Sequence, residues 1–96
     1  MKIDHELKVW PEYFDAIRNG EKLFEIRKDD RGFQRNDILL LREFSPGYDE
    51  YTGREVTARV SYCLYGSEAA GFAFGIRPGF VAMSLALSPA ERSDNA

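Results

Sequence analysis

The sequence holds one cysteine, one histidine and one tryptophan. A lone Cys63 excludes an intrachain disulfide and any multi-cysteine metal site. With His5 as the only imidazole, a zinc site lacks ligands, and no metal or cofactor is expected. No apolar run approaches the roughly 20 residues that a membrane span needs. The opening "MKIDHELKVW" has no hydrophobic region of the signal-peptide kind, so a cytoplasmic protein with no membrane partner is expected. The glycines between Gly66 and Gly79 are not followed by Gly-Lys-Ser/Thr and do not match a dinucleotide fingerprint. A surplus of positive charge is also missing: 13 basic side chains face 16 acidic ones, for a net charge of −3. The long-range field therefore repels nucleic acid, and any such contact must be local, weak and salt-sensitive.

What is present suits one domain. The chain has 96 residues, 44% of them hydrophobic, which is enough for one modest core and argues against wholesale disorder. "HELKVW" alternates His5, Leu7 and Val9 with Glu6, Lys8 and Trp10, the period of a half-buried strand. Pro11 opens a helix of about two turns with Tyr13, Phe14 and Ile17 on one side, and Asn19-Gly20 closes it. Trp10 reads as a packing anchor and Tyr13 as core. "GEKLFEIRKDD" reads as a strand with Lys22, Phe24 and Ile26 on one face and Leu23, Glu25 and Arg27 on the other. After a turn at Asn36-Asp37, Ile38 to Phe44 form an apolar strand. "SPGYDEYTG" reads as a long hairpin loop. "REVTARVSYCLY" reads as a long strand with Val56, Ala58, Val60, Tyr62 and Leu64 pointing one way. The segment from Gly66 to Gly79 reads as a loop over one end of the sheet. "FVAMSLAL" is the last strand, with Val81, Met83, Leu85 and Leu87 on one face. Residues 1–87 form the domain and 88–96 a disordered tail.

The order is β-α-β-β-β-β. It predicts a mainly β (α+β) fold in which a small, curved, mostly antiparallel sheet of about five strands closes around one short helix.

Glu25 and Arg27 share a strand face, roughly 6.5–7 Å apart along it. A carboxylate and a guanidinium there can pair with each other or flank a polar ligand. Lys22 starts on the opposite face, but a twist or bulge can bring its stem round to the same cleft. Lys28, Arg31 and Arg35 add a basic cluster offset by Asp29, Asp30 and Asp37. Trp10, Tyr13, Tyr48, Tyr51 and Tyr65 are candidates for stacking on a base, and Tyr48 and Tyr51, in the predicted hairpin loop, are the ones expected to be most exposed. His5 reads as a satisfied rim histidine, and Cys63 as a packing residue.

The stretches "GEKLFEIRKDDRGF" and "YTGREVT", within a pattern running from about residue 4 to 87, resemble the ASCH group of the PUA-like superfamily in small bacterial and phage proteins. Gly20, Lys22, Glu25 and Arg27 match its G-x-K-x-x-[TE]-x-R signature. The resemblance implies a PUA-like β-barrel whose cleft is lined by the signature residues. Domains of this kind bind RNA or modified bases, and some small ASCH proteins hydrolyse an acylated cytidine with a lysine, a threonine and a glutamate. Lys22 matches that lysine, and Glu25 stands where the threonine would be. Glu68 lies in the connection from which the glutamate could come. Asn36-Asp37 replaces a Gly-Asp turn, and asparagine tolerates positive φ.

Three readings follow. The first is a monomeric RNA- or nucleotide-binding module using Lys22, Glu25, Arg27, Arg31, Tyr48 and Tyr51. The second is a small metal-independent hydrolase of a modified nucleoside or RNA, with Lys22, Glu25 and Glu68 as catalytic candidates. The third is a structural or partner-binding domain whose charges only pair with one another.

Overall fold

A computed structural model describes residues 2–67 and 75–88. The strands are β1 (His5–Val9), β2 (Phe24–Lys28), β3 (Ile38–Ser45), β4 (Glu50–Tyr65) and β5 (Phe80–Ala86), with helix α1 (Pro11–Arg18) between β1 and β2. They form one sheet in the order β1-β3-β4-β5-β2. β1 runs parallel to β3, and every other neighbouring pair is antiparallel. The expected element order holds. No helix among the described residues is long and apolar enough to cross a membrane.

The expected closure of the sheet does not hold. β1 and β2 are its two edges and share no backbone ladder, so the curled sheet is a half-barrel. Side chains bridge the seam instead. Arg27 Nη2 donates to the Lys8 carbonyl and Arg31 Nη1 to the Glu6 carbonyl, each at 2.7 Å. These carbonyls lie two residues apart, as successive acceptors on one strand edge do.

The inward positions of β1, β3, β4 and β5 build the core. Leu7 and Val9, Leu39 and Leu41, Val56, Ala58 and Val60, and Val81, Met83 and Leu85 meet Phe14 and Ile17 of α1 and Phe33. Pro11 opens α1 as expected, and Gly20 takes φ 76° just beyond its end. Asn36 stands at φ 77°, so the turn before β3 survives without glycine.

Two predicted strand features differ. The "SPGYDEYTG" loop is only a tight turn over residues 46–49; β4 begins at Glu50 and pairs Tyr51 with Phe44. In β4 the register shifts between Val60 and Tyr62, so Ser61 is the extra residue of a bulge. The alternation then reverses: Tyr62 faces solvent and Cys63 packs against the core. Burial raises the pKa of the Cys63 thiol, in keeping with a packing role. The connection after β4 is pinned where it begins: Gly66 N–H donates to Phe80 O at 2.8 Å, and a Cβ at Gly66 would sit 1.8 Å from the Arg77 carbonyl oxygen. The predicted loop falls partly, and the predicted tail almost wholly, outside the described residues.

A buried charge network ties α1 to the β3–β4 hairpin. Glu43 points inward and is buried. Arg54 holds it with two hydrogen bonds, Nε to Oε1 at 2.8 Å and Nη2 to Oε2 at 2.7 Å. Thr52 Oγ1 donates to the same carboxylate, and Arg54 Nη2 also reaches Asp15 of α1 at 2.8 Å. The Arg54 bonds hold the Glu43 carboxyl below its usual pKa against the opposing effect of burial, with Thr52 assisting. A buried carboxylate stripped of its partner is costly, moderated here because Arg54 is itself half-exposed. Arg54→Ala is therefore expected to cost about 3 kcal/mol in urea unfolding, with Arg54→Lys recovering part of it. Because folding lowers the Glu43 pKa, its contribution is complete above the ordinary carboxylate range near 4.5. It is lost as pH falls through the lower folded value. Glu43→Gln should flatten that acid limb of the stability curve; an Arg54→Ala protein as stable as the wild type would contradict the assignment.

Candidate functional site

β2 carries its residues the opposite way round from an ordinary half-buried strand. Glu25 is 4% exposed, whereas Phe24 and Ile26 are 49% and 52% exposed. The predicted alternation is correct, but the charged face is the inner one. What makes this tolerable is the pairing of the carboxylate. Lys22 Nζ donates to Glu25 Oε1 at 2.6 Å, and Arg27 Nε donates to Oε2 at 2.7 Å. Each oxygen is thus matched by its own cation, which a carboxylate at this depth requires. Lys22 does reach round from the start of the strand, and its ammonium also donates to the Phe24 carbonyl at 2.8 Å.

The three residues lie in a cleft of about 670 Å³ at the seam between β1 and β2, lined also by Lys8, Val9, Trp10, Tyr13, Phe24 and Ile26. Three cations and one carboxylate line it, so the cleft is net positive on a chain of net charge −3. Arg27 commits Nε to Glu25 and Nη2 to Lys8 O, leaving Nη1 without a hydrogen bond among the described residues. Glu25 keeps lone pairs on both oxygens beyond those its cations occupy. The site therefore offers an orientated guanidinium donor and a fixed carboxylate acceptor.

Of the aromatic candidates, Trp10 and Tyr13 line the cleft and the hairpin tyrosines do not. Trp10 and Tyr13 stack on each other, with ring centroids 6.5 Å apart and planes 17° apart. They are 51% and 46% exposed at the cleft. Neither is the core residue or packing anchor that the sequence suggests. Phe14 and Ile17, three apart, take the inner face of α1, and Tyr13 is rotated off it. The Lys22 ammonium lies 5.6 Å from the Tyr13 ring centre and 4.9 Å from that of Phe24.

The remaining candidates lie elsewhere. Tyr48 is 81% exposed on the hairpin turn and does not line the cleft. Tyr51 lies on β4, edge-on to Phe44 at 5.3 Å, with the Arg42 guanidinium 3.8 Å from its ring centre. Arg31 spans the seam to Glu6 O rather than entering the cleft. Glu68 lies outside the described residues. His5 is satisfied as expected: Nε2 lies 2.8 Å from Asp37 Oδ2, and its ring meets Phe33 edge-on at 4.6 Å.

Sequence reasoning missed Glu43 and Arg54, although strand parity carried the signal. Leu39, Leu41 and Glu43 share one face of β3, as do Thr52, Arg54 and Val56 on β4, and the inward direction of each series was set by its apolar members.

The inversion of β2 has a measurable consequence. Ile26→Thr is expected to cost under about 1 kcal/mol, since the side chain is already half-exposed. Glu25→Ala, which removes the counter-charge of Lys22 and Arg27, should cost clearly more, about 2–3 kcal/mol. Chemical denaturation of the two variants checks the order, and the reverse ranking would place Glu25 outside the fold's interior.

Comparison with known proteins adds family membership. The chain belongs to the family described as "Domain of unknown function (DUF3850)", whose model matches residues 4–85. It is also similar to the "Uncharacterized 12.9 kDa protein in GpA 3'region" of Escherichia phage P2, being 44% identical over 57 residues, 59% of this chain and 50% of that protein. The chain thus matches about half the length of this phage relative.

Proposed function

We propose that this domain is a nucleotide-binding module of the PUA-like, ASCH kind, and that the cleft at the β1–β2 seam accepts a nucleotide or a short single-stranded RNA segment. One observation carries the reading. The inward face of β2 holds a carboxylate between two cations, in a net-positive cleft beside an exposed aromatic pair. A ligand that exploits all three features needs negative charge, a polar edge with N–H donors and a flat π-face. A nucleotide has each of them.

The residues divide the work. Arg27, held by Glu25 and the Lys8 carbonyl, offers its remaining amino group to a phosphate or a base carbonyl. Lys22 supplies positive charge at the rim. Glu25 accepts from a base amino or imino group, and a base lacking that donor leaves a buried carboxylate less satisfied, which discriminates against it. Trp10 or Tyr13 supplies the stacking surface, in place of the hairpin tyrosines. The match of Gly20, Lys22, Glu25 and Arg27 to the ASCH signature supports the same placement.

The test is an amide-shift titration of the labelled protein with nucleosides, nucleotides and short single-stranded RNAs, with the same samples followed for product. Saturable shifts at Lys22, Glu25, Arg27 and the Trp10 indole are expected, weakening as salt rises, with no turnover. Product formation would replace the binding module with the hydrolase. Silence across the panel, with Arg27→Ala changing stability only, would leave the charges as scaffold.

A further inference from the structure

β2 pairs with β5 on one side only. Two backbone hydrogen bonds fix which residues use that side: Leu85 N–H donates to Leu23 O at 3.0 Å, and Asp29 N–H donates to Gly79 O at 2.8 Å. Directly opposed residues in an antiparallel ladder alternate between bonded and non-bonded pairs. Leu23, Glu25, Arg27 and Asp29 therefore direct their amides and carbonyls to β5. Phe24, Ile26 and Lys28 turn theirs away from it. The Phe24 carbonyl agrees with this, because it accepts from Lys22 Nζ at 2.8 Å instead of from β5. Ile26 lies opposite Ala82 in a non-bonded pair, and it lines the cleft. Among the described residues no hydrogen bond reaches its N–H or C=O, so they form a backbone donor–acceptor pair on the open edge of a cleft-lining residue.

We infer that the main chain of Ile26 reads the polar edge of a nucleobase. The N–H donates to a base carbonyl or ring nitrogen, and the C=O accepts from an adjacent amino or imino group. The inference rests on the reading of the cleft as a nucleotide site and specifies how that site engages the base. The free edge favours a single heterocycle over an added peptide strand. β2 is five residues long. Lys22 already occupies the Phe24 carbonyl, and Arg27 crosses the seam to Lys8 O. Strand addition needs a run of unoccupied backbone groups, whereas a base needs one residue. A main-chain reader is also fixed in advance by its ladder neighbours, so no side chain has to be ordered when the ligand arrives.

The position permits a clean deletion. Proline is tolerated on an edge strand where the lost N–H faces away from the sheet, so Ile26→Pro removes the donor and leaves the β5 ladder intact. With the four 5′-ribonucleoside monophosphates and a short single-stranded RNA as probes, at least one is expected to saturate the cleft. In that complex the wild-type Ile26 amide should shift and gain protection from hydrogen exchange. Ile26→Pro should then bind that probe on the order of 10-fold more weakly, the loss of one buried hydrogen bond, while Tyr48→Phe, on the hairpin turn away from the cleft, binds as wild type. If a nucleotide shifts Glu25 and Arg27 but the Ile26 amide gains no protection, the inference is overturned and the nucleotide reading stands. Undiminished binding by a folded Ile26→Pro protein has the same meaning. If Ile26→Pro does not fold, amide protection in the wild-type complex decides alone. Failure of all four nucleotides and of a short single-stranded RNA to saturate the cleft overturns the inference together with the reading beneath it.

Discussion

The carboxylate of Glu25, buried and held between Lys22 and Arg27, is the interaction on which the site depends. It lets a strand with two large apolar residues turn those residues outward. Without the two cations, burying the charge would cost several kcal/mol, and the hydrophobic alternation would favour the opposite face. With them, the inner face of β2 becomes a polar wall. Arg27 then does double duty, because the same guanidinium reaches across to Lys8 O and bridges a seam that no backbone ladder closes.

A second buried carboxylate repeats the pattern on other strands. Glu43 takes two hydrogen bonds from Arg54, and Arg54 extends to Asp15 on α1. α1 thus touches both networks, through Tyr13 beside Lys22 and through Asp15 beside Arg54. That fixes the helix, and with it the Trp10–Tyr13 pair that forms the aromatic wall of the cleft. The two networks differ in one respect that bears on function. Arg54 directs its Nε and Nη2 donors to two carboxylates of its own chain, whereas Arg27 gives one donor to a carboxylate and one to a backbone carbonyl, and it lines the cleft.

Much of the fold was legible because strand alternation and turn chemistry are local. The period of two in "HELKVW" and "FVAMSLAL", Pro11 at the start of the helix and the positive φ of Asn36 all correspond to observed features. Closure of the sheet was not legible, since whether β1 and β2 pair is decided by long-range geometry. The bulge at Ser61 was hidden for a related reason: one inserted residue reverses the faces that follow, and nothing in "RVSYCLY" marks it. The charged residues of the site were visible as a group, but which way they faced was not. Hydrophobicity alone would bury Phe24 and Ile26, and only the presence of Lys22 and Arg27 in reach of Glu25 reverses that. The aromatic lining of the cleft was only partly legible, because Tyr13, Phe14 and Ile17 are all compatible with one helical face; packing chose the last two.

The most direct test of the proposed nucleotide site is a crystal structure of the protein grown with a saturating 5′-ribonucleotide. The account predicts density in the β1–β2 cleft, with the base against Trp10 or Tyr13, its polar edge toward Glu25 and its phosphate near Arg27. Nucleotide density on the Phe44–Tyr51 face, or a cleft holding only solvent at saturation, would contradict it.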